Sequence, residues 1–311
     1  MPKLCKILVL LLALLLLVSC SEGYSSPNSA AKGFAFKDST GYELVLSKNP
    51  TRVAVLLSSF AEIWQLAGGE VAITVGESVS RGICKEDVIL VDDGAGKTVN
   101  TEVLIAASPD LVILSTDVPA QMEAAELLRA AGIPVAAFCV ESFDEYLAML
   151  KICTELTERP ELYEQNGGAQ KLSVDAALLE KPLDGMKILF VRAGSSARSV
   201  KAKGSADHFA AAMLTQLGAK NIADNAPLLL DGLSMEVILA EDPDYIFFTA
   251  MGDEQASMSF VGEMLKGEDW ASLSAVQNGR FTYLPKDLFH YKPNAKWANA
   301  YSYLIETVKG E

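Results

Sequence analysis

The chain has 311 residues, 26 Lys and Arg against 40 Asp and Glu, and a formal charge of -14. With 50% hydrophobic and 21% charged residues it has a globular composition that excludes disorder. The acid surplus excludes a general nucleic-acid binder, because a phosphate backbone selects for basic surface. Two histidines in the whole chain argue against a multi-His zinc or manganese site.

Lys3 and Lys6 precede an apolar run of 12 residues, Ile7 to Val18. A bilayer span needs about 20, so the run fits the core of a secretory leader instead. It ends in Leu17-Val18-Ser19-Cys20, which resembles a bacterial lipobox. Residues 1–19 are therefore expected to be removed and Cys20 to carry lipid, anchoring the protein to the outer face of the cell membrane. The Ser-rich stretch 20–33 reads as a flexible tether. Of the remaining cysteines, Cys84, Cys139 and Cys153 show no metal-type spacing and read as small hydrophobes.

From residue 34, short apolar runs alternate with helical patterns. Arg52–Leu57 predicts a strand, 59–67 a helix ending at Gly68-Gly69, and Val71–Val75, Leu111–Leu114 and Pro134–Phe138 further strands. A helix over 119–131 should stop at Gly132. Between Ser142 and Glu180 no strand signal occurs. Ser142-Phe-Asp-Glu145 is a capping box, Pro160 marks a restart, and Asn166-Gly167-Gly168 is a weak point. Strands then return at Lys187–Val191, 244–249 and 280–284, with helices over 206–217 and 293–308. Trp64 and Trp297 fall at helical positions and read as core. The alternation predicts an α/β fold with mainly parallel sheets.

The most informative feature is an internal repeat. Residues 99–114 read VNTEVLIAASPDLVIL and residues 233–248 read LSMEVILAEDPDYIFF. At an offset of 134, Glu102 meets Glu236, Val103 Val237, Ala106 Ala240, Pro109 Pro243 and Asp110 Asp244. Thr101 and Ser234 are the candidate caps of the two helices. Duplication predicts two Rossmann-like lobes, 34–141 and 181–311, joined by a long helical connector over 142–180.

The chain resembles the substrate-binding proteins of ATP-binding-cassette importers, in the class with two lobes and a rigid helical connector that carries iron–siderophores, haem or cobalamin. The resemblance runs from about Gly41 to Val308. It rests on KNPTRVAVLLSSFAEIWQLAG, the twice-used Glu-x-x-x-Ala-x-x-Pro-Asp, the helical segment 142–180 and the ending PKDLFHYKPNAKWANAYSYL. It implies capture of a small molecule outside the cell and delivery to a permease by a monomer, with no cofactor and no directly bound metal. It further implies that Glu102 and Glu236 dock onto arginines of that permease.

Ligands of open α/β sheets bind beyond the carboxyl ends of the strands. The candidate contacts there are Arg192, Arg198, His290 and Tyr291, followed by Phe60, Arg81 and Met251. Residues 192–203 (RAGSSARSVKAK) carry four cations and no acid, a patch suited to an anionic ligand such as a ferric siderophore or haem propionates. Cobalamin is the alternative cargo. A membrane-anchored α/β hydrolase is the rival enzyme reading, but the chain has no GxSxG elbow, and no P-loop, GxGxxG or HExxH motif either.

Overall fold

The computed structural model describes residues 33–92, 98–227, 229 and 233–310. The leader, Cys20 and the tether up to Lys32 lie outside the described residues. Two parallel sheets are present. In the first, β3 (Val53–Val55), β4 (Val71–Thr74), β5 (Ile89–Leu90), β6 (Leu111–Ser115) and β7 (Val135–Phe138) lie in the order β5-β4-β3-β6-β7. In the second, β8 (Lys187–Ala193), β10 (Lys220–Asn221), β11 (Tyr245–Ala250) and β12 (Phe281–Leu284) lie in the order β10-β8-β11-β12, and β9 (Lys201–Ala202) runs antiparallel to β8. Strands β3, β6, β7 and β11 are buried at every position, as expected where helices cover both faces of a sheet.

The two sheets repeat one plan. In the first sheet β3 lies between β4 and β6, and in the second β8 lies between β10 and β11, so each of these strands is flanked by the strand that follows the duplicated helix. The repeat is also visible in detail. The helices Thr101–Ala106 and Met235–Glu241 are each followed by a left-handed residue at the same repeat position, Ser108 (φ 51°) and Asp242 (φ 41°). The Asp of each Pro-Asp pair then clamps the start of the neighbouring strand. Asp110 accepts from the amides of Thr51 and Arg52, both at 2.8 Å, and Asp244 accepts from the amide of Lys187 at 2.8 Å. A cation at each strand start reaches back to the helix end: Arg52 Nε donates to the Ala107 carbonyl at 2.6 Å and Lys187 Nζ to the Glu241 carbonyl at 3.1 Å.

Desolvation raises the Asp110 carboxyl, but the bonds from Thr51 and Arg52 outweigh it and hold the group below the usual carboxylate range. A lowered folded-state pKa gives stability that is present above the unfolded value of about 3.9 and is lost as pH falls through the folded value. Asp110→Asn should therefore cost about 1–2 kcal/mol at pH 7. The difference from wild type should shrink at pH 3, as read from urea unfolding at both pH values.

Between β7 and β8 the connector is three helices, Phe143–Leu156, Glu161–Asn166 and Lys171–Glu180, with a short 3-10 turn at Gly168–Gln170. Ser142 caps the first of them, its Oγ accepting from the Glu145 amide at 3.2 Å. The expected box is only half made: Glu145 Oε2 accepts from Ser142 Oγ at 3.0 Å and from the amide of Glu141 at 2.7 Å, one residue before the cap, instead of from the Ser142 amide. The break at Asn166 has a packing reason. A Cβ on Gly167 would sit 2.7 Å from Leu147 and 2.9 Å from Leu150, so a side chain there would push the segment off the first connector helix. The connector also caps helix Ser58–Leu66, through Asn166 Nδ2 to the Leu66 carbonyl at 2.7 Å and Thr157 Oγ1 to the Ala67 carbonyl at 2.5 Å.

One apolar core passes through both lobes. It runs from Leu44 and Val53 through Tyr146, Leu150 and Val174 of the connector to Phe190, Phe247, Trp297 and Leu304. Separate clusters fill the outer face of each sheet. Trp64 and Trp297 are 2% and 0% exposed, matching their reading as core. An N-terminal hairpin, β1 (Phe34–Lys37) and β2 (Glu43–Leu46), forms a separate two-stranded sheet whose turn meets the edge strand β7. The Ser39 amide donates to the Ala137 carbonyl at 2.9 Å, and the Ala137 amide donates to Asp38 Oδ2 at 3.0 Å.

Candidate functional site

The carboxyl ends of the two parallel sheets supply the residues that meet between the lobes. From the first lobe, the short helix Gly76–Ser80 after β4 delivers Arg81. Its guanidinium donates to Ser58 Oγ at 2.9 Å, pairs with Glu62 at 3.4 Å and lies 3.8 Å over the ring of Tyr291. From the second lobe, β8 ends on Arg192 and Ala193, and β12 leads through helix Lys286–Phe289 into the loop His290–Pro293. Arg192 is largely buried, and its Nε has no hydrogen-bond partner among the described residues. Burial lowers its pKa from the usual guanidinium value.

The loop after β12 is tied across to the first lobe. The Lys292 amide donates to Ser59 Oγ at 3.2 Å, and Asn294 Nδ2 donates to the Ser59 carbonyl and to Glu62 Oε2, both at 3.0 Å. Lys292 Nζ pairs with Glu141 and lies 4.8 Å over the ring of Phe209. Burial raises the Glu141 carboxyl although Lys292 opposes it. A cavity of about 220 Å³ opens here, lined by Glu62, Arg81 and Ile83 from one side and Asp287, Lys292 and Pro293 from the other.

Arg81, Arg192, Lys286 and Lys292 all come to this cleft, Arg81 and Lys292 paired with Glu62 and Glu141. Burial together with Arg192, Lys286 and Arg81 pushes His290 down to about 4, so its imidazole is neutral at pH 7. Burial, Lys292 and Arg192 likewise hold His208 well below the usual histidine range. His208 caps helix Phe209–Gln216, its Nδ1 accepting from the Ala210 amide at 3.2 Å, and its ring packs between Phe190 and Phe209.

The structure gathers Arg81, Arg192, His290 and Tyr291 at this cleft. Met251 follows β11 and is half-buried, its amide bonded to the Ala193 carbonyl at 2.8 Å. Phe60 is fully buried in the core and offers no surface to a ligand. Arg198 stands apart. The turn Ser196–Ser199 folds the chain back into β9, and Arg198 is exposed beside Val200, Met235, Phe260 and Trp270 at another cavity of about 410 Å³. The cationic stretch thus divides, with Arg192 and Lys203 acting on His208 while Arg198 and Lys201 face elsewhere. Glu62, Glu141 and Asn294 lie outside the loops that the sequence places at the strand ends, whereas Lys292 closes one of them, 289–292. Lys292 alone carried a signal, as the cation beside Tyr291.

Glu102 and Glu236 are both exposed, and neither makes an ion pair among the described residues. Their helices run from the carboxyl end of each sheet back toward its amino end, so both carboxylates stand at the same end of the molecule as the cleft. The caps differ from expectation. Asn100, not Thr101, accepts from the Val103 amide, at 3.1 Å, and Ser234 holds the cap position without a side-chain bond. The first helix thus has a side-chain cap and the second has none, while an αL residue and a strand clamp follow both. Among the described residues no group of three His, Cys, Asp or Glu could hold a metal, and no helix is long and apolar enough to cross a membrane. Cys84, Cys139 and Cys153 are free thiols.

A family profile described as "Periplasmic binding protein" matches residues 53–288. No curated protein sequence matches significantly. Among solved structures, the apo periplasmic haem-binding protein RhuT from Roseiflexus sp. RS-1 is similar, with a TM-score of 0.66 and 19% identity over 83% of this chain and 98% of that one. The periplasmic vitamin B12 binding protein BtuF of Vibrio cholerae gives a TM-score of 0.70 at 19% identity, covering 84% and 97%. The siderophore-binding protein BauB, bound to two acinetobactin molecules and ferric iron, gives 0.69 at 16%, covering 89% and 98%. At these identities the likeness is one of fold.

Proposed function

Because the chain belongs to the periplasmic binding protein family, we propose that it is the extracytoplasmic receptor of an ATP-binding-cassette importer. It captures an anionic iron complex, a ferric siderophore or haem, between its lobes. It hands that cargo to a permease docked on Glu102 and Glu236, and lipid on Cys20 holds it to the membrane. It binds and releases without chemistry, as receptors of this family do.

The observation that carries the reading is the meeting of Arg81, Arg192, Lys286 and Lys292 around two neutral histidines in a chain of net charge -14. Arg81 is already paired with Glu62 and Lys292 with Glu141. Arg192 is the cation whose buried Nε lacks a partner, and a carboxylate, hydroxamate or catecholate oxygen of the cargo would supply one. Tyr291, stacked under Arg81, gives a flat face beside it.

The test is to purify the full-length protein from iron-limited cells and record its native mass and absorption spectrum. A bound mass with a Soret or charge-transfer band is expected, and Arg192→Gln should lower its retention about tenfold or more. A cobalamin mass, or retention unaffected by Arg192→Gln, would overturn the anionic-iron reading.

A further inference from the structure

We propose that each lobe presents a two-part docking patch, Glu102 with Ile105 and Glu236 with Leu239, and that its occupant is a pair of equivalent permease surfaces, each offering a cation beside an apolar recess. This rests on the docking reading given above and extends it to residues that the reading does not use.

The offset of 134 that pairs Glu102 with Glu236 also pairs Ile105 with Leu239. Residues three apart share one side of a helix, so each aliphatic side chain stands beside its carboxylate. Their exposures are nearly equal, 41% for Ile105 and 39% for Leu239, while Leu104 and Ile238 in the same helices are fully buried. Duplication alone does not preserve exposed apolar groups. Leu127 is 58% exposed, but its counterpart at the same offset, Val261, is fully buried. The shared patch is therefore matched at an offset where the exposed Leu127 is not.

Both patches are also mounted alike, by the Asp110 and Asp244 clamps and by the Arg52 and Lys187 bonds to the helix ends. Two equal patches on one chain fit a partner built of two equal halves. Apolar contact beside an ion pair excludes water and salt from it and so strengthens it.

The experiment uses the full-length chain in its own cells. Benzoylphenylalanine is placed singly at Ala106 and Ala240, exposed residues one turn beyond each glutamate, and at 127 as a control, so that the patch itself stays intact, and adducts after irradiation are identified by mass spectrometry. Positions 106 and 240 should yield an adduct with the transmembrane subunit of an importer, and position 127 none. Ile105→Ser combined with Leu239→Ser should lower the adduct from 106 and 240 about tenfold, as should Glu102→Gln combined with Glu236→Gln. If the double glutamine variant loses the adduct while the double serine variant leaves the yield unchanged, the aliphatic half of the patch is wrong and docking on the glutamates stands. If neither 106 nor 240 crosslinks, or if the double glutamine variant leaves the yield unchanged, the docking reading itself fails and takes this proposal with it.

Discussion

Cells carrying Glu102→Lys or Glu236→Lys should import less than about a tenth as fast as wild type, while the purified variants bind cargo within about twofold of it. The two carboxylates are exposed and carry no ion pair among the described residues, so little of the fold depends on them. A lysine in the first turn of a short helix opposes the macrodipole by roughly 0.3–1 kcal/mol, too little to unfold a domain. Against a cation of the permease, however, it replaces attraction with repulsion, which costs several kcal/mol. Uptake and equilibrium binding measured on the same variants separate the two effects. Equal loss of affinity in both would place the residues in the fold or the cleft.

Trp297→Ala should be among the most damaging substitutions to the fold, costing about 3–5 kcal/mol. The side chain is fully buried. It lies 6.2 Å from the ring of Phe143 in the connector and 5.9 Å from that of Phe209 in the second lobe, so removing it opens a cavity where these elements join. Its Nε1 is buried without a partner among the described residues, and Trp297→Phe, which deletes that donor with less volume, should cost less than half as much. Guanidinium unfolding followed by far-UV circular dichroism should show one transition moved to lower denaturant. Two separated transitions would mean that the lobes do not share a core.

Much of the fold was legible because its signals are local. Buried parallel strands such as LVILS and YIFFT are apolar at successive positions, the Ser142 cap and Glu145 stand only three residues apart, and the repeat pointed to two lobes of one plan. The hairpin over 34–46 escaped because its strands are four residues long, and only Leu44 and Leu46 among their residues are buried. Asn100 displaced Thr101 as cap by a shift of one residue, which helix periodicity does not resolve. At the cleft, sequence pointed to the ends of the right strands. It could not show that Arg198 turns away after Ser196, nor that Asn294 reaches Ser59 and Glu62, residues 235 and 232 positions distant. Such pairings depend on how the last helix returns to the first lobe, and no local pattern encodes that.

The apolar core shared by both lobes and the connector also bears on how a permease tells a laden receptor from an empty one. A continuous packed interior has low compliance, so the outline of the molecule and the spacing of its two glutamates should be almost the same in both states. Occupancy must then be announced locally, at the mouth, where Lys292 and Asn294 bridge the lobes through Glu141, Ser59 and Glu62. On the function proposed above, an anion held by Arg192 changes the charge beside the Lys292–Glu141 pair, and what reaches the membrane partner is a change of charge and side-chain order rather than a change of shape.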